Sequence, residues 1–182
     1  MRAIWCKGIL RLRKFMVGLY LFFIFLTQAY AADIVYQIKA SYIYNFLQFV
    51  SFPEDAILQS KIKVCILGRN YFGSTLDQID GASTPQATIQ VVYLGNYTSA
   101  ATLSLCNVLY LTQSEKSNTR SILRNVDIKN VFTIAEYSPF ISLGGLVELY
   151  IEEEKVRFRI NRSLAKNVRF QISSQLLQLG TG

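Results

Sequence analysis

Apolar side chains recur at helical spacing in residues 32–53, the most strongly patterned part of the chain. Steps of three and four residues place five of them on one face of a helix: Val35, Ile38, Tyr42, Phe46 and Phe49. Because polar side chains form only a narrow second stripe, most of the helix circumference is apolar and would be covered on more than one side. We interpret the segment as a core helix packed on a sheet; the alternative is an exposed aromatic face that meets a partner.

Short apolar runs alternate with weakly helical segments between residues 62 and 135. The runs predict strands at 62–67, 88–94, 107–112 and 131–135, and the segments predict helices at 73–79, 98–105 and 118–126. The strand runs are apolar at nearly every position, which is typical of strands buried on both faces. We therefore predict an α/β fold with a mainly parallel sheet and flanking helices.

The pattern changes to alternating apolar and polar positions at residues 145–160, on both sides of an acidic turn at Glu153-Glu154. Such alternation predicts a C-terminal β-hairpin with one apolar face and one solvated, charged face. The predicted register places three pairs opposite one another: Glu148–Arg159, Tyr150–Arg157 and Glu152–Lys155. A short helix and an amphipathic tail at 173–180 would follow the hairpin.

Residues 1–31 have the organisation of a secretory signal peptide. Five basic residues precede or border an apolar run at 15–26, and Ala29-Tyr30-Ala31 supplies the small-x-small pattern of a cleavage site. Because the run is short for a membrane-spanning helix, an uncleaved anchor is the less favoured alternative. Cleavage after Ala31 would leave residues 32–182 as a single domain.

The net charge of +7 comes mostly from this predicted signal peptide. The chain has 19 Lys and Arg against 12 Asp and Glu, and residues 1–31 hold five of the basic residues and none of the acidic ones. The predicted domain therefore keeps 14 basic and 12 acidic residues, a net charge of +2. That balance argues against nucleic acid as a partner.

The chemistry available to the chain is limited by its lack of histidine. Without histidine the Ser-His-Asp and Cys-His arrangements cannot form, and the usual zinc and copper sites lose their main ligand. We expect neither a metal site nor a cofactor. A hydrolase that uses two carboxylates is left open, although nothing marks a pair among Asp77, Asp80, Asp127 and Glu136.

Two cysteines, Cys65 and Cys106, remain in the predicted domain once Cys6 is removed with the signal peptide. An even pair in an exported chain most simply forms one disulfide, and two buried thiols are the alternative. On the chain-entropy description, such a cross-link would stabilise the fold by about 4 kcal/mol.

The loop at 68–75 follows the first predicted strand and contains glycines in a Gly-x4-Gly spacing. It lacks the lysine of a phosphate-binding loop. A strand-to-helix loop at the carboxyl end of a parallel sheet is nevertheless where small ligands usually bind, and a helix N-terminus there would favour an anion. Gly68, Arg69 and Gly73 are the candidate ligand-binding residues; a structural tight turn is the alternative.

Six segments occur in the order found in the YfiR family: YQIKASYIYNFLQFVSFP, VCILGRNYFGSTL, CNVLYLT, the glycine pair at 144–145, VRFRIN and SSQLLQL. The chain resembles that family over nearly all of residues 32–182. The resemblance implies an exported protein with a Rossmann-like α/β core in the periplasm of a Gram-negative bacterium, with Cys65 and Cys106 matching a family disulfide. A second cysteine pair known in the family has no counterpart after Cys106, so redox control through it is not expected.

The family resemblance implies a non-enzymatic periplasmic regulatory protein that binds and represses an inner-membrane signalling enzyme, a diguanylate cyclase or a sensor kinase, and is released by an outer-membrane lipoprotein. A homodimer is left open. The candidate partner-binding residues lie in the first helix and the hairpin: Tyr42, Phe46, Phe49, Arg157, Phe158 and Arg159. The first alternative function is a periplasmic small-molecule-binding protein whose site is the 68–73 loop, and the second is the carboxylate hydrolase.

Overall fold

The computed structural model describes residue 16, residues 34–103 and residues 105–180. The predicted signal peptide at 1–31 lies outside the described residues except for residue 16, so its cleavage stays a prediction. The chain divides into two units, Met1–Tyr36 and Gln37–Gly182, and the sheets lie in the second. Within the described ranges, no helix combines the length and the apolar character that crossing a membrane requires.

The framework consists of strands linked by short helical segments. The helices are α1 (34–48), α2 (Thr119–Asn125), α3 (Arg162–Ala165) and α4 (Ser174–Leu179). The strands are β1 (Val50–Ser51), β2 (Lys61–Leu67), β3 (Thr88–Gly95), β4 (Val108–Leu111), β5 (Phe132–Ala135), β6 (Val147–Glu152), β7 (Lys155–Ile160) and β8 (Gln171–Ile172). Short 3-10 turns lie at Glu54–Ala56, Thr75–Gln78, Ala100–Thr102, Gln113–Asn118 and Ile141–Leu143.

The main sheet has six strands in the order β3-β2-β4-β5-β6-β7. All neighbouring pairs are parallel except β6 and β7, which form an antiparallel hairpin. The prediction of a mainly parallel α/β sheet with a C-terminal hairpin is confirmed. A separate two-stranded pair of β1 and β8 was not predicted, because two-residue strands are too short to show alternation.

The hairpin has the predicted register. Glu148 lies opposite Arg159, Tyr150 opposite Arg157 and Glu152 opposite Lys155. Glu153 and Glu154 form the turn with φ angles of 49° and 61°, so both occupy the left-handed region that a two-residue hairpin turn of type I′ requires. The alternation of residues 147–160 therefore determined both the strands and their pairing.

α1 packs on one face of the main sheet, as predicted for a core helix. The Phe46 ring lies 5.0 Å from Phe158 on β7 and 6.0 Å from Phe132 on β5. Ile43 and Leu47 are also buried. The opposite face of the sheet packs against α2, whose Ile122 lies among Cys65, Leu109, Leu111 and Phe140. Helical segments therefore cover both faces, as the apolar strands require.

The buried face of α1 differs from the predicted one. Ala40, Ile43, Phe46 and Leu47 are buried, whereas Ile38 keeps 39% of its surface exposed. The helix ends at residue 48, so Phe49 lies beyond it. Because apolar side chains surround most of this helix, their spacing could not select which stripe faces the sheet.

Two predicted helices are reduced to single turns. The segment 73–79 contains only the 3-10 turn Thr75–Gln78, and the described residues of the segment 98–105 form only the 3-10 turn Ala100–Thr102. Both segments are rich in Ser and Thr, whose hydroxyl groups compete for backbone hydrogen bonds and favour turns over helix interiors. Predicted helix 118–126 agrees with α2 to within one residue at each end.

Candidate functional site at the carboxyl edge of the sheet

The strand order of the main sheet reverses between β2 and β4. β3 lies on one side of β2, whereas β4 and the following strands of the main sheet lie on the other. Doubly wound sheets bind ligands at such a switch point, outside the carboxyl ends of the two strands. Here those ends lead into the 68–73 loop and the 112–118 segment, which makes this edge the first place to look for a site.

Gly68 brings these two segments into close contact. Its φ angle is 103°, and a Cβ atom built on it would lie 2.2 Å from Thr112 Oγ1 and 2.5 Å from Ser114 Oγ. The Gly68 N–H donates to the Gly95 carbonyl at 2.7 Å, and the Arg69 N–H donates to Ser114 Oγ at 2.8 Å. Gly68 therefore has a structural reason to be glycine that is independent of any ligand.

A cleft of about 640 Å³ opens beside these segments. We call it the switch-point cleft, and the residues that line it are Gly68, Arg69, Asn70, Tyr93, Gly95, Asn96, Ser114, Glu115 and Asn118. Two of the three predicted ligand-binding residues, Gly68 and Arg69, are thus brought together. Gly73 is not part of the lining, and no atom outside its chain neighbours lies within 4 Å of its Cβ position.

Glu115 is the buried charge of the switch-point cleft. The residue is 2% exposed, and its carboxylate accepts hydrogen bonds from the Tyr97 N–H at 3.2 Å and from Asn118 Nδ2 at 2.8 Å. In the described part of the chain no lysine or arginine forms an ion pair with it. Sequence reasoning missed Glu115, although its position shortly after a buried strand could have marked it.

The predicted preference of this loop for an anion has no structural support. The segment after the loop is a four-residue 3-10 turn with Asp77 in its first turn, so it offers no long helix dipole. The Arg69 guanidinium lies on the exposed side, 5.7 Å from the centroid of the Tyr71 ring. The buried charge that lines the cleft is instead the carboxylate of Glu115.

A second buried carboxylate, Glu136, directly follows β5 at the same edge. Lys39 on α1 donates to Glu136 Oε2 at 2.5 Å, and the Tyr110 hydroxyl donates to the same oxygen at 3.0 Å. The Gln113 N–H donates to Glu136 Oε1 at 2.8 Å. The side chains of Lys39 and Glu136 are 9% and 1% exposed. This Lys39–Glu136 cluster therefore fixes α1 to the ends of β4 and β5.

The other acidic residues considered for hydrolysis make structural contacts. Asp80 Oδ1 accepts the Val91 N–H at 2.8 Å, and Asp127 accepts from Asn130 Nδ2 at 2.6 Å. Burial raises the pKa of Tyr93, and the charges of Asp77 and Asp80 raise it further. None of these contacts pairs two of the candidate carboxylates across a common cleft.

The predicted aromatic contact residues face the protein core. Phe46 and Phe158 are 2% and 8% exposed, so neither offers a docking surface in this conformation. Tyr42 is half-buried, and its hydroxyl donates to the Val156 carbonyl at 3.0 Å. Phe49 is also half-buried. The first helix therefore uses most of its aromatic surface for packing.

The predicted arginines lie on the other face of the hairpin. Arg157 Nε is 3.0 Å from Glu152 Oε2, and both side chains are largely exposed. Arg159 lies 4.1 Å above the Tyr150 ring and 3.7 Å from the buried carboxylate of Glu148. The six candidate contact residues consequently do not form one surface. The two arginines of the set are partly exposed, on the charged face of the hairpin.

The disulfide joins Cys65 within β2 to Cys106 just before β4. Their Cα atoms are 5.8 Å apart and the two residues are 41 positions apart in sequence. A second cleft, of about 730 Å³, lies at the amino edge of the sheet and is lined partly by Cys106, Leu105 and Arg169. No sequence pattern marked this cleft.

Tyr137 is a buried phenol close to both carboxylates of the carboxyl edge, and its pKa is strongly raised. Burial raises its pKa to about 12; the Thr119 hydroxyl, 2.7 Å away, lowers it, and the charges of Glu115 and Glu136 raise it. The pKa of Tyr137 therefore depends on both buried carboxylates of the carboxyl edge.

Among the residues described, no group of three His, Cys, Asp or Glu side chains could hold a metal ion.

The strand order, the switch point and the hairpin define a doubly wound α/β protein whose sheet ends in an antiparallel strand. The model of the YfiR/HmsC-like family matches residues 36–181. Because the match covers most of the chain, this protein belongs to the YfiR/HmsC-like family. The chain matches no curated protein.

Proposed function

We propose that the protein is a periplasmic, non-enzymatic regulator that binds and represses an inner-membrane diguanylate cyclase. The family match over residues 36–181 carries this proposal, because the family is consistent with periplasmic regulators of cyclic-di-GMP signalling. The Cys65–Cys106 disulfide supports an oxidising compartment. The predicted signal peptide at 1–31 would provide export.

The regulator acts by binding one state of the enzyme more tightly than the other, since a partner shifts an equilibrium only through such a difference in affinity. The charged face of the hairpin is the proposed contact surface. Arg157 is exposed there, and its one described ion pair, with Glu152, is itself on the surface. A sensor kinase as target and an outer-membrane lipoprotein as releasing partner are variants of the same proposal.

Deletion of the gene tests the proposed function. We expect cellular cyclic-di-GMP, measured by mass spectrometry, to rise in the deletion strain and to return to its original level when the gene is restored. An unchanged level in the deletion strain would contradict the proposal.

The contact surface is tested by complementation of the same strain. Arg157→Glu reverses an exposed charge on the hairpin, and we expect it to fail to lower cyclic-di-GMP. Arg120→Glu is the matched control, since Arg120 is an exposed arginine on α2. Equal repression by both variants, at equal protein levels, would place the contact elsewhere.

A further inference from the structure

The switch-point cleft contains a carboxylate whose charge the described structure does not balance. Both Glu115 oxygens accept hydrogen bonds, but the donors are the Tyr97 N–H and the Asn118 amide, which are neutral. A carboxylate has about four acceptor positions, so these two bonds leave further acceptor capacity. Burial of a charge is unfavourable unless an opposite charge accompanies it. No described lysine or arginine forms an ion pair with Glu115, and Arg69, the basic residue of the lining, is exposed and lies 5.7 Å from the centroid of the Tyr71 ring. A cationic group of a ligand can therefore balance the charge of Glu115.

The cleft has room for such a cation. Its volume of about 640 Å³ lies within the range of small-molecule sites. At Gly95, whose φ angle is 68°, nothing lies within 4 Å of the Cβ position, so the wall is open there. Tyr93 is 42% exposed and offers an aromatic wall.

The remaining lining is polar and partly fixed. Asn70 is held by its own loop, because its Oδ1 accepts the Phe72 N–H at 2.9 Å and its Nδ2 donates to the Gly73 carbonyl at 3.1 Å. Asn96 and Asn118 add exposed amide groups that can bond to a polar ligand. Amide and carboxylate oxygens together suit a ligand with several N–H donors.

We propose that the switch-point cleft binds a small molecule through an ammonium or guanidinium group that pairs with Glu115. The position of the cleft at the topological switch point and its open volume point to a small-molecule site, and its buried carboxylate points to a cationic ligand. The site does not depend on the proposed repression of a cyclase, because no residue of the hairpin face lines it.

Isothermal titration of the purified exported protein tests the proposal. The probes are agmatine and putrescine as cations and succinate as an anion of similar size. We expect the cations to bind with at least tenfold higher affinity than succinate, and the difference to shrink in high salt. No heat with either cation at millimolar concentration, or tighter binding of succinate, would overturn the proposal.

Two variants locate the binding. Glu115→Gln removes the charge at nearly constant volume and is expected to weaken cation binding at least tenfold. Glu54→Gln is the matched control, because Glu54 is an exposed carboxylate in the Glu54–Ala56 turn, outside the cleft lining. Equal cation affinity in Glu115→Gln and wild type would overturn the assignment.

Asn96→Arg covers the case in which Glu115→Gln does not fold. Asn96 is exposed, so its replacement should preserve the fold while placing a guanidinium group at the cleft. We expect this variant to lose cation binding and to keep the thermal transition of the wild type. Retained binding of agmatine would show that the ligand lies elsewhere and would overturn the proposal.

Discussion

Glu115 and Glu136 are both buried at the carboxyl edge of the main sheet, but their charges are balanced differently. Glu136 pairs with Lys39, a residue 97 positions away that α1 brings to the edge. Glu115 accepts hydrogen bonds from neutral groups and lines an open cleft. The comparison divides this edge into two halves. In the closed half, α1 covers Glu136 with Lys39, and in the open half Glu115 lines the switch-point cleft.

The largest expected loss of stability follows from a substitution in the closed half. Lys39→Met leaves the Glu136 carboxylate buried without its cation, and loss of one partner of a buried pair costs about 3 to 5 kcal/mol. Urea unfolding should show this loss, while Lys129→Met, which removes an exposed lysine, should change stability little.

The double variant Lys39→Met with Glu136→Gln sharpens this comparison. Because no uncompensated charge then remains, we expect it to recover a large part of the stability lost in the single variant. A single variant as stable as wild type would mean that the Lys39–Glu136 cluster does not hold α1 in place.

Removal of the disulfide tests how strongly β2 and β4, the two strands that flank the open half, depend on their cross-link. Cys65 and Cys106 connect β2 to the start of β4, so replacing both by alanine should lower the free energy of unfolding by about 2 to 4 kcal/mol. Mass spectrometry of the unreduced wild type should show the two cysteine peptides linked. Two thiols that react with an alkylating reagent in the exported protein would contradict the cross-link.

Gly68→Ala should destabilise the contact between the 68–73 loop and the 112–118 segment by a similar amount. Its φ angle of 103° and the 2.2 Å approach of Thr112 Oγ1 to the Cβ position predict a loss of about 3 kcal/mol. Gly73→Ala is the matched control: its φ angle of 57° is also positive, but the space around it is empty, which predicts about 1 kcal/mol. Equal losses would show that the two loops are not packed as described.

The smallest expected effect is the titration of Tyr137. Burial raises its pKa from 10.0 to about 12, so the neutral side chain stabilises the folded state fully below pH 10. That contribution should disappear as the pH rises through about 12, and Tyr137→Phe should remove this pH dependence.

Tyr137 also reports on the two carboxylates. Because Lys39 neutralises Glu136, Glu115→Gln should lower the pKa of Tyr137 more than Glu136→Gln does. Ultraviolet difference titration against the corresponding Tyr137→Phe variants measures the two shifts. A larger pKa shift in Glu136→Gln than in Glu115→Gln would contradict the claim that Glu115 has the less balanced charge.

The strands and the hairpin could be predicted from the sequence because their apolar pattern has a short, unambiguous period. The buried face of α1 could not, since apolar residues such as Ile38 and Ile43 occur on both sides of the helix. The closed half depends on contact between residues 97 positions apart, which no local pattern shows. Glu115 was missed because its burial depends on how two loops meet.

Export and repression in the periplasm form the central claim, and one complementation experiment tests them together. In the deletion strain, cyclic-di-GMP is measured with the full chain and with a chain that lacks residues 2–31, each at equal protein level. We predict that only the full chain lowers cyclic-di-GMP. Equal repression by the chain without residues 2–31, or no repression by either, would contradict the account.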